Sequence, residues 1–495
     1  MKKSFAMVAL AVVAAASFIG GCRTVVRRQP TDGKLLVFHM DFNIIQMNRA
    51  TVSDLLRKAA DNGYNAILWE IENKVQLDTI PPAIHPEAFT KDEFRAILAE
   101  ADALGLEAIP LLQIFGHGEY VLNCKEYKHL REQHDKPDCY CVSKPEVREL
   151  HLRLVNEYLQ LFGDRVKRFH LASDEAYSFG SCPICKKRNR MELYVEHLEA
   201  LAKPIRERGI RPGVWHDMIL DPQHAADRAK LPADYTIWYG DYGYGVSKAG
   251  TTAGDKKIES LRKEGREVIL CGASQSAGED PFFPRAKFHR DNLTALAENA
   301  RKACAGFCVT SWSIRQSLKR FQYPLIDYAA QRYLAPSADA AEDWKAAVTR
   351  AFGAEVTPEM VDGLFSCDIY LNGVDGRQWT FFKEGIPPPP LYYRQWMKDY
   401  PEYIDNFADR AAKEKARVIK ELAKWKAIKS GNELVALAVR AGEMKLLLCE
   451  TIRAALKGEK YSPCPLDEVA ALYSVDQSKI SAANSARLVF GFYAD

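Results

Sequence analysis

Residues 145–175 read PEVRELHLRLVNEYLQLFGDRVKRFHLASDE, and this stretch holds one helix signal followed by one strand signal. From Pro145 to Phe162 the apolar residues recur at three- and four-residue spacing, which is the period of an α-helix. From Arg168 to Asp174 a short, mostly apolar run follows, with the length of a buried strand. A helix that leads directly into a buried strand is typical of α/β proteins with a parallel sheet.

The same alternation extends to both sides of this stretch and supplies eight candidate strands. They are Leu35–Phe42, Ala66–Glu70, Glu107–Gln113, Arg168–Asp174, Gly213–Met218, Tyr235–Tyr239, Glu267–Ala273 and Phe307–Trp312. Helical patterns separate them at Lys91–Leu104, Pro145–Phe162, Met191–Arg208, Asp255–Glu264 and Asn292–Ala303. Eight strands with crossover helices over about 300 residues predict an α/β fold of the (β/α)8 TIM-barrel type. Its active site is expected at the carboxyl ends of the strands.

Two helix starts carry the pattern of a capping box, in which a Ser or Thr precedes a Glu by three residues. Thr90 is followed by Glu93, and Ser143 is followed by Glu146. The pattern therefore predicts that one helix begins after Thr90 and another after Ser143.

The chain beyond about residue 335 changes character, because strand signals fade and helical patterns take over. These patterns cover Asp343–Phe352, Pro401–Ser430 and Asn432–Lys457. We therefore predict a barrel over residues 34–335, followed by a C-terminal α-helical domain over residues 336–495. That region is expected to serve packing or oligomerisation.

The N-terminus has the features of a secretory signal. Lys2 and Lys3 precede an apolar stretch that ends in Gly20, Gly21 and Cys22. The ending resembles a bacterial lipobox, so residues 1–21 are predicted to be a lipoprotein signal peptide and Cys22 the lipidated residue. An ordinary cleaved signal is the alternative. Residues 22–33 would then form a tether, placing the protein on a membrane of the bacterial cell envelope, outside the cytoplasm. Arg23 favours the outer membrane where the cell has two.

Composition and charge limit the possible partners. Apolar residues make up 47% of the 495 residues and charged residues 27%, which excludes a disordered chain. The formal net charge is only +3, so a nucleic-acid partner is not expected.

The cysteines include two tight pairs, Cys139-x-Cys141 and Cys182-x-x-Cys185. Four thiolates in two such pairs would form a zinc site if the fold brought them together. Cysteines that are free or paired in disulfides are the alternative, since an exported chain meets oxidising conditions. The residue pattern itself implies no cofactor.

Two adjacent acids, Asp174 and Glu175, end the fourth candidate strand. Adjacent like charges raise the pKa of one carboxyl unless a cation lies between them. A carboxyl that stays protonated near neutral pH suits the general acid of a glycosidase. Alternatively, the pair is a helix N-cap followed by a first-turn acid.

Three segments near the predicted strand ends occur in a characteristic order. They read WEIENK over residues 69–74, PLLQIFGHGEYVL over residues 110–122, and HLASDE over residues 170–175, with Cys182-Pro-Ile-Cys185 after them. Together they resemble glycoside hydrolase family 20, the β-N-acetylhexosaminidases, and within it a bacterial branch of exo-acting enzymes. The likeness covers most of residues 35–335. One departure is that the family usually has glycine before its acidic pair, where Ala172 and Ser173 stand here.

The resemblance implies a substrate-assisted retaining mechanism that acts on glycans with a terminal N-acetylhexosamine. The 2-acetamido oxygen of the sugar acts as nucleophile, in exception to the usual scheme with two carboxylates. By position in the motif, Glu175 would be the acid/base and Asp174 the group that orients the acetamido N–H. Their side chains are expected to diverge as neighbours on a strand do.

Further side chains are expected to bind the sugar. Aromatic rings suit the faces of a pyranose, and charged groups suit its hydroxyls. The candidates are His117, Glu119, Glu72, Asp41, Trp215, Trp238, Tyr239, Tyr242 and Trp312. Each tryptophan has the barrel core as an alternative place, and the sequence leaves open which of the two tyrosines would donate to the acetamido carbonyl.

Two other functions remain compatible with the sequence. One is a retaining barrel glycosidase whose nucleophile is a protein carboxylate, for which Glu279 after the seventh strand is the candidate. The other is a lipoprotein that binds glycans without cleaving them. Both are distinguished from the first hypothesis by turnover of N-acetylated and 2-hydroxy sugars.

Overall fold

The computed structural model describes residues 30, 33–43, 47–224, 227–276, 282–312, 318–366 and 401–457, together with residues 459 and 472. Eight parallel strands form a closed barrel. They are β1 (Leu35–Asp41), β2 (Ala66–Glu70), β3 (Glu107–Leu111), β6 (Arg168–His170), β7 (Arg211–Trp215), β8 (Thr236–Gly240), β9 (Val268–Gln275) and β10 (Gly306–Ser311). Around the barrel they follow the order β1-β10-β9-β8-β7-β6-β3-β2. The predicted (β/α)8 barrel is therefore confirmed.

Helices follow the strands and form the outer layer. They are α1 (Arg49–Asp61), α2 (Lys91–Ala103), α3 (Glu119–Leu122), α4 (Pro145–Phe162), α5 (Arg190–Arg206), α6 (Asp217–Leu220), α7 (Lys248–Lys263), α8 (Ala286–Ala303) and α9 (Tyr323–Leu334). An antiparallel hairpin of β4 (Arg131–Gln133) and β5 (Lys136–Tyr140) is inserted between α3 and α4. This hairpin, which the strand pattern did not predict, adds a layer beside the carboxyl end of β3.

Of the two predicted capping boxes, the structure contains one. Thr90 and Glu93 form the predicted capping box at the start of α2. The prediction at Ser143 was wrong, because α4 has Lys144 at its N-cap position without a side-chain hydrogen bond. Pro145 occupies the first turn of α4, where its fixed φ and missing N–H are both tolerated.

Side chains of the barrel strands alternate between two apolar clusters. The inner cluster fills the barrel and includes Leu35, Val37, Leu68, Ile109 and Ile269. Residues of the opposite parity, such as Leu36 and Ile67, pack against the helices in a larger outer cluster. This period of two places polar residues such as His39, Asp41 and Glu70 on the inner side, near the carboxyl ends of β1 and β2.

Four helices lie beyond the barrel in the described part of the chain. They are α10 (Ala340–Phe352), α11 (Pro358–Leu364), α12 (Pro401–Lys426) and α13 (Glu433–Leu456). Trp425 of α12 stacks on Phe365, and the buried Lys445 of α13 forms an ion pair of 2.7 Å with Glu414. The region is helical, as the sequence indicated, while the domain boundary at residue 335 stays a prediction. The described helices include none with the length and apolar character needed to cross a lipid bilayer.

Candidate active site

The acidic pair lies just past the end of a barrel strand. Strand β6 ends at His170, four residues earlier than the predicted end at Asp174. Ala172, Ser173 and Glu175 all have positive φ angles, of 31°, 76° and 43°. Asp174 and Glu175 therefore project from an irregular turn, and not from a strand as the sequence had predicted for Asp174. Their different directions do not come from strand geometry.

Backbone strain is concentrated around this turn. The non-glycine residues with positive φ in the described chain are Glu72, His117, Ala172, Ser173 and Glu175. They follow β2, β3 and β6, which are neighbours in the barrel. A positive φ is unfavourable for a residue with a Cβ, and such residues cluster at functional sites. The strain thus marks the same barrel end as the acidic pair.

Gly116 allows the loop after β3 to approach this turn. A Cβ at position 116 would lie 2.4 Å from the backbone oxygen of Asp174. That distance is too short for any side chain, so only glycine fits. This close approach brings the next residue, His117, beside the acids.

His117 lies between the two carboxylates. Its Nε2 atom is 3.3 Å from Oδ2 of Asp174 and 3.6 Å from Oε2 of Glu175. Burial alone would lower the pKa of His117, but the charges of Asp174, Glu119 and Glu175 raise it well above its usual range. A protonated His117 is the cation that allows two adjacent acids to coexist.

The two acids differ in exposure. The side chain of Asp174 is 13% exposed, whereas that of Glu175 is 47% exposed. The Oδ1 atom of Asp174 is buried and has no hydrogen-bond partner among the described residues. The hydroxyl of Tyr177 donates to Oε1 of Glu175 at 3.0 Å. Asp174 therefore faces inward with a free acceptor, and Glu175 faces the opening.

A third acid, Asp217, completes this group and is not among the residues predicted from the sequence. Its Oδ2 atom accepts the backbone N–H of Glu175 at 2.7 Å. Burial, and then the charge of Asp174, raise the pKa of Asp217 to about 7. Asp217 follows Trp215 and His216 directly after the end of β7. This position after a barrel strand is the sequence feature from which it could have been predicted.

Further acids lie near the adjacent strand ends, namely Glu70 and the predicted Glu72, Asp41 and Glu119. Glu70 accepts hydrogen bonds from Gln113 at 2.8 Å and contacts Nε2 of His39 at 2.9 Å. Glu72 is buried, and burial followed by the charge of Glu70 raises its pKa well above the ordinary value. Asp41 is also buried and accepts the backbone N–H of Asn43 at 2.6 Å. Glu119 begins α3, near enough to His117 to influence its pKa.

Aromatic rings cover the barrel opening next to the acids. The ring centroid of Trp215 lies 5.5 Å from that of Trp312 and 4.6 Å from that of His170. The ring of Trp238 lies deeper in the barrel than that of Trp215. Its Nε1 atom would be 2.8 Å from a Cβ placed on Gly213, which precedes Trp215 by two residues on β7. Trp215 and Trp238 belong to the inner apolar cluster, and the half-buried Trp312 packs against it. Trp312 and Trp215 are thus the rings nearer the opening.

The structure separates the two candidate tyrosines. Tyr239 is on β8, where it points into the outer cluster, and its hydroxyl donates to Asp241 at 3.0 Å. Tyr242 follows the strand, and its hydroxyl accepts a hydrogen bond of 2.7 Å from Nε1 of Trp312. Tyr242 therefore contacts Trp312 near the barrel opening, whereas Tyr239 faces the helices.

The cysteine set differs from the one the sequence indicated. Cys141, Cys182 and Cys185 come together, but the fourth member is Glu132 instead of Cys139. Cys139 is buried within the outer cluster, and its Sγ is 3.6 Å from the backbone oxygen of Tyr140. Cys22 and Glu279 lie outside the described residues.

Comparison with known proteins agrees with this architecture. No family model matches the chain. It is 26% identical over 324 residues to hexosaminidase D of Bos taurus, covering 60% of this chain and 91% of that protein. It is 28% identical over 310 residues to hexosaminidase D of Homo sapiens, covering 57% of this chain and 60% of the human protein. The crystal structure of a β-N-acetylhexosaminidase from Bacteroides fragilis matches with a TM-score of 0.51 and 17% identity, over 64% of this chain and 69% of that one.

The barrel, the acids at its carboxyl end and these relatives define the chain as a glycoside hydrolase. Within that class, the sequence similarity supports β-N-acetylhexosaminidase activity. The similarity to the solved β-N-acetylhexosaminidase shows a shared barrel fold.

Proposed function

We propose that the chain is an exo-β-N-acetylhexosaminidase that releases terminal β-linked GlcNAc or GalNAc by substrate-assisted retaining catalysis. One observation carries the proposal: Asp174 has a buried, unpaired Oδ1 atom, and its neighbour Glu175 is half-exposed. An amide N–H of a bound sugar would satisfy that buried acceptor. Glu175 would then lie on the open side, where the departing group leaves.

In the first step, the carboxyl of Glu175 donates its proton to the glycosidic oxygen as the bond to the anomeric carbon breaks. The acetamido oxygen attacks that carbon and forms an oxazolinium ion. Asp174 accepts a hydrogen bond from the acetamido N–H and stabilises the positive charge that develops. Glu175 then removes a proton from water as the water oxygen bonds to the anomeric carbon. The bond from that carbon to the acetamido oxygen breaks, which restores the acetamido group and leaves the β-configuration retained.

The neighbouring side chains position these groups. His117 balances the charge of Asp174 while Glu175 carries its proton, and Asp217 fixes the backbone of Glu175. Trp215 and Trp312 provide flat apolar surfaces for the sugar, and Tyr242 is placed to donate to the acetamido oxygen. Glu70, Glu72 and Asp41 supply acceptors for hydroxyl groups.

The test compares three chromogenic substrates, the 4-nitrophenyl β-glycosides of GlcNAc, GalNAc and glucose. We expect turnover of the two N-acetylated sugars, little turnover of the glucoside, and inhibition by a thiazoline mimic of the oxazolinium ion. Equal rates on the glucoside, with loss of activity in Glu279→Gln, would establish a protein nucleophile instead. Binding of the sugars without any turnover would indicate a glycan-binding lipoprotein.

We also propose that the enzyme is exported and anchored through a lipid on Cys22. The support is the charge and apolar pattern before Cys22 together with Gly20 and Gly21. The full chain is expected to partition into detergent after cell fractionation, and Cys22→Ala to move to the aqueous phase. An unchanged distribution of Cys22→Ala would refute the anchor.

A further inference from the structure

Three cysteines and one glutamate converge beside the active-site loops, outside the groups that bind the sugar. The ligand atoms of Glu132, Cys141, Cys182 and Cys185 all lie within 4.8 Å of one another. Glu132 comes from β4, Cys141 follows β5, and the other two lie in the segment after Glu175. Glu132, Cys141 and Cys185 are buried, and Cys182 is half-buried.

The distances within this group match the edges of a tetrahedral metal site. Sγ of Cys141 is 3.6 Å from Sγ of Cys182 and 3.7 Å from Sγ of Cys185. Sγ of Cys185 is 3.5 Å from Oε2 of Glu132. With zinc bonds of about 2.3 Å to sulfur and about 2.0 Å to oxygen, a tetrahedral site has edges of about 3.8 Å between sulfurs and about 3.5 Å from sulfur to oxygen.

A disulfide does not account for this arrangement. Both sulfur separations exceed by far the bond length of about 2.05 Å in a disulfide. Cys141 is nearly equidistant from two cysteines, and three thiols cannot all be paired within the group. No described residue forms an ion pair with the buried Glu132, so a cation would supply the compensating charge that a buried carboxylate needs.

Further hydrogen bonds orient the ligand atoms. The backbone N–H of Cys182 donates to Oε1 of Glu132 at 2.8 Å, which leaves Oε2 facing the sulfurs. The backbone N–H of Cys185 donates to Sγ of Cys182 at 3.3 Å. The hydroxyl of Ser143 lies 3.1 Å from Sγ of Cys185. Such outer contacts are typical of metal sites, because they fix the ligands and stabilise thiolates.

We infer that Glu132, Cys141, Cys182 and Cys185 bind one structural Zn²⁺ ion. Four protein ligands leave no open position for water or substrate, which is the arrangement of a structural site. The ion would join the β4–β5 hairpin to the segment that follows Asp174 and Glu175. It would thereby hold the turn that carries Asp174 and Glu175 against the loop that carries His117. This role does not depend on which sugar the enzyme cleaves.

The test measures metal in the purified full-length protein by elemental mass spectrometry. We expect about one zinc per chain, and its loss in Cys182→Ser and in Cys185→Ser. Cys139→Ser is the matched control, because Cys139 is a buried cysteine of the same hairpin outside the group. It should keep its zinc. A metal-free protein, iron in place of zinc, or equal zinc in the cysteine variants would overturn the inference.

A second measurement on the unaltered protein covers the case in which the variants fail to fold. Replacement of zinc by Co²⁺ is expected to give the intense visible absorption of a tetrahedral thiolate site. A strong chelator should release the zinc, lower the melting temperature and make three additional thiols reactive. A disulfide between Cys141 and Cys182 or Cys185, found by peptide mapping, would also overturn the inference.

Discussion

The backbone N–H of Glu175 donates a hydrogen bond of 2.7 Å to Oδ2 of Asp217. This bond ties the turn after β6 to the first residue of α6, on the neighbouring strand's loop. Burial and the charge of Asp174 raise the pKa of Asp217 to about 7. The side chain that holds the proposed acid/base in place therefore changes its own charge near neutral pH.

Substitution of Asp217 by Asn should alter the pH dependence of stability. The pKa of Asp217 is raised on folding, so this group favours the folded state most below its unfolded value of 3.8. That contribution is lost as pH rises through about 7. Asp217→Asn keeps the acceptor without the charge and does not titrate. The free energy of unfolding of the variant minus that of the parent should therefore grow as the pH rises from 4 to 7. Parallel pH curves in urea denaturation would show that Asp217 does not titrate in this range.

His117 should stabilise the fold most strongly at low and neutral pH. Its pKa is raised on folding, so its contribution is complete below the unfolded value of 6.5 and is lost as pH rises through the folded value. We expect His117→Gln to be less stable than the parent at pH 6, with a difference that shrinks in alkaline solution. His129→Gln, at an exposed site, is the control. A difference that does not vary with pH would refute charge balance by His117.

The two acids should be distinguishable by their response to the leaving group. Loss of the proton donor affects sugars with poor leaving groups most, so Glu175→Gln should reduce kcat/KM on an oligosaccharide by about a hundredfold or more. Its effect on a 4-nitrophenyl glycoside should be smaller. Asp174→Asn should reduce both rates by about a hundredfold, because it acts on the acetamido group. Glu259→Gln on the surface of α7 is the control, and interchanged behaviour of the acids would contradict their assigned roles.

A side chain at position 116 should disturb the turn that carries Asp174 and Glu175. In Gly116→Ala, the new Cβ would overlap the backbone oxygen of Asp174, which cannot move without the turn. Overpacking of this kind lowers the free energy of unfolding by about 1 to 3 kcal/mol. We also expect reduced kcat, because both acids would shift. Gly431→Ala has open space around it and serves as control; equal melting temperatures and rates for the two variants would argue against a steric requirement.

The two tyrosines offer a matched comparison of contact with the sugar. Tyr242→Phe removes the hydroxyl that meets Trp312, and loss of one hydrogen bond to substrate should lower kcat/KM roughly fivefold. Tyr239→Phe removes a hydroxyl that bonds Asp241 and should change kcat/KM little. Steady-state kinetics on the GlcNAc substrate decide between them. A larger effect in Tyr239→Phe would exclude Tyr242 as the acetamido donor.

Much of the barrel was predictable because buried parallel strands produce a strong local signal. All eight strands occur where short apolar runs predicted them, and α4 has the predicted bounds Pro145–Phe162. The ends of β6 and β7 were less accurate. An apolar run does not reveal where backbone pairing stops, since that depends on the neighbouring strand and on strain at Ala172 and Ser173.

The site was predictable only in part. Asp174, Glu175 and His117 were predicted from motifs that resemble glycoside hydrolase family 20, and the structure brings them into contact. Asp217 was missed because an acid after a strand is common and its partner is 42 residues away. The choice between Tyr239 and Tyr242 required the direction of each side chain relative to the barrel.

The sequence by itself determined the barrel, the order of its strands along the chain and the position of the acidic pair near a strand end. These follow from periodicity and from short motifs, which are local properties. Only the tertiary structure decided which groups face the acids and that Tyr242 contacts Trp312. It also decided that Glu132, and not Cys139, lies beside the three thiols. These contacts join segments far apart in sequence, so they depend on how the barrel closes and where each loop crosses its end.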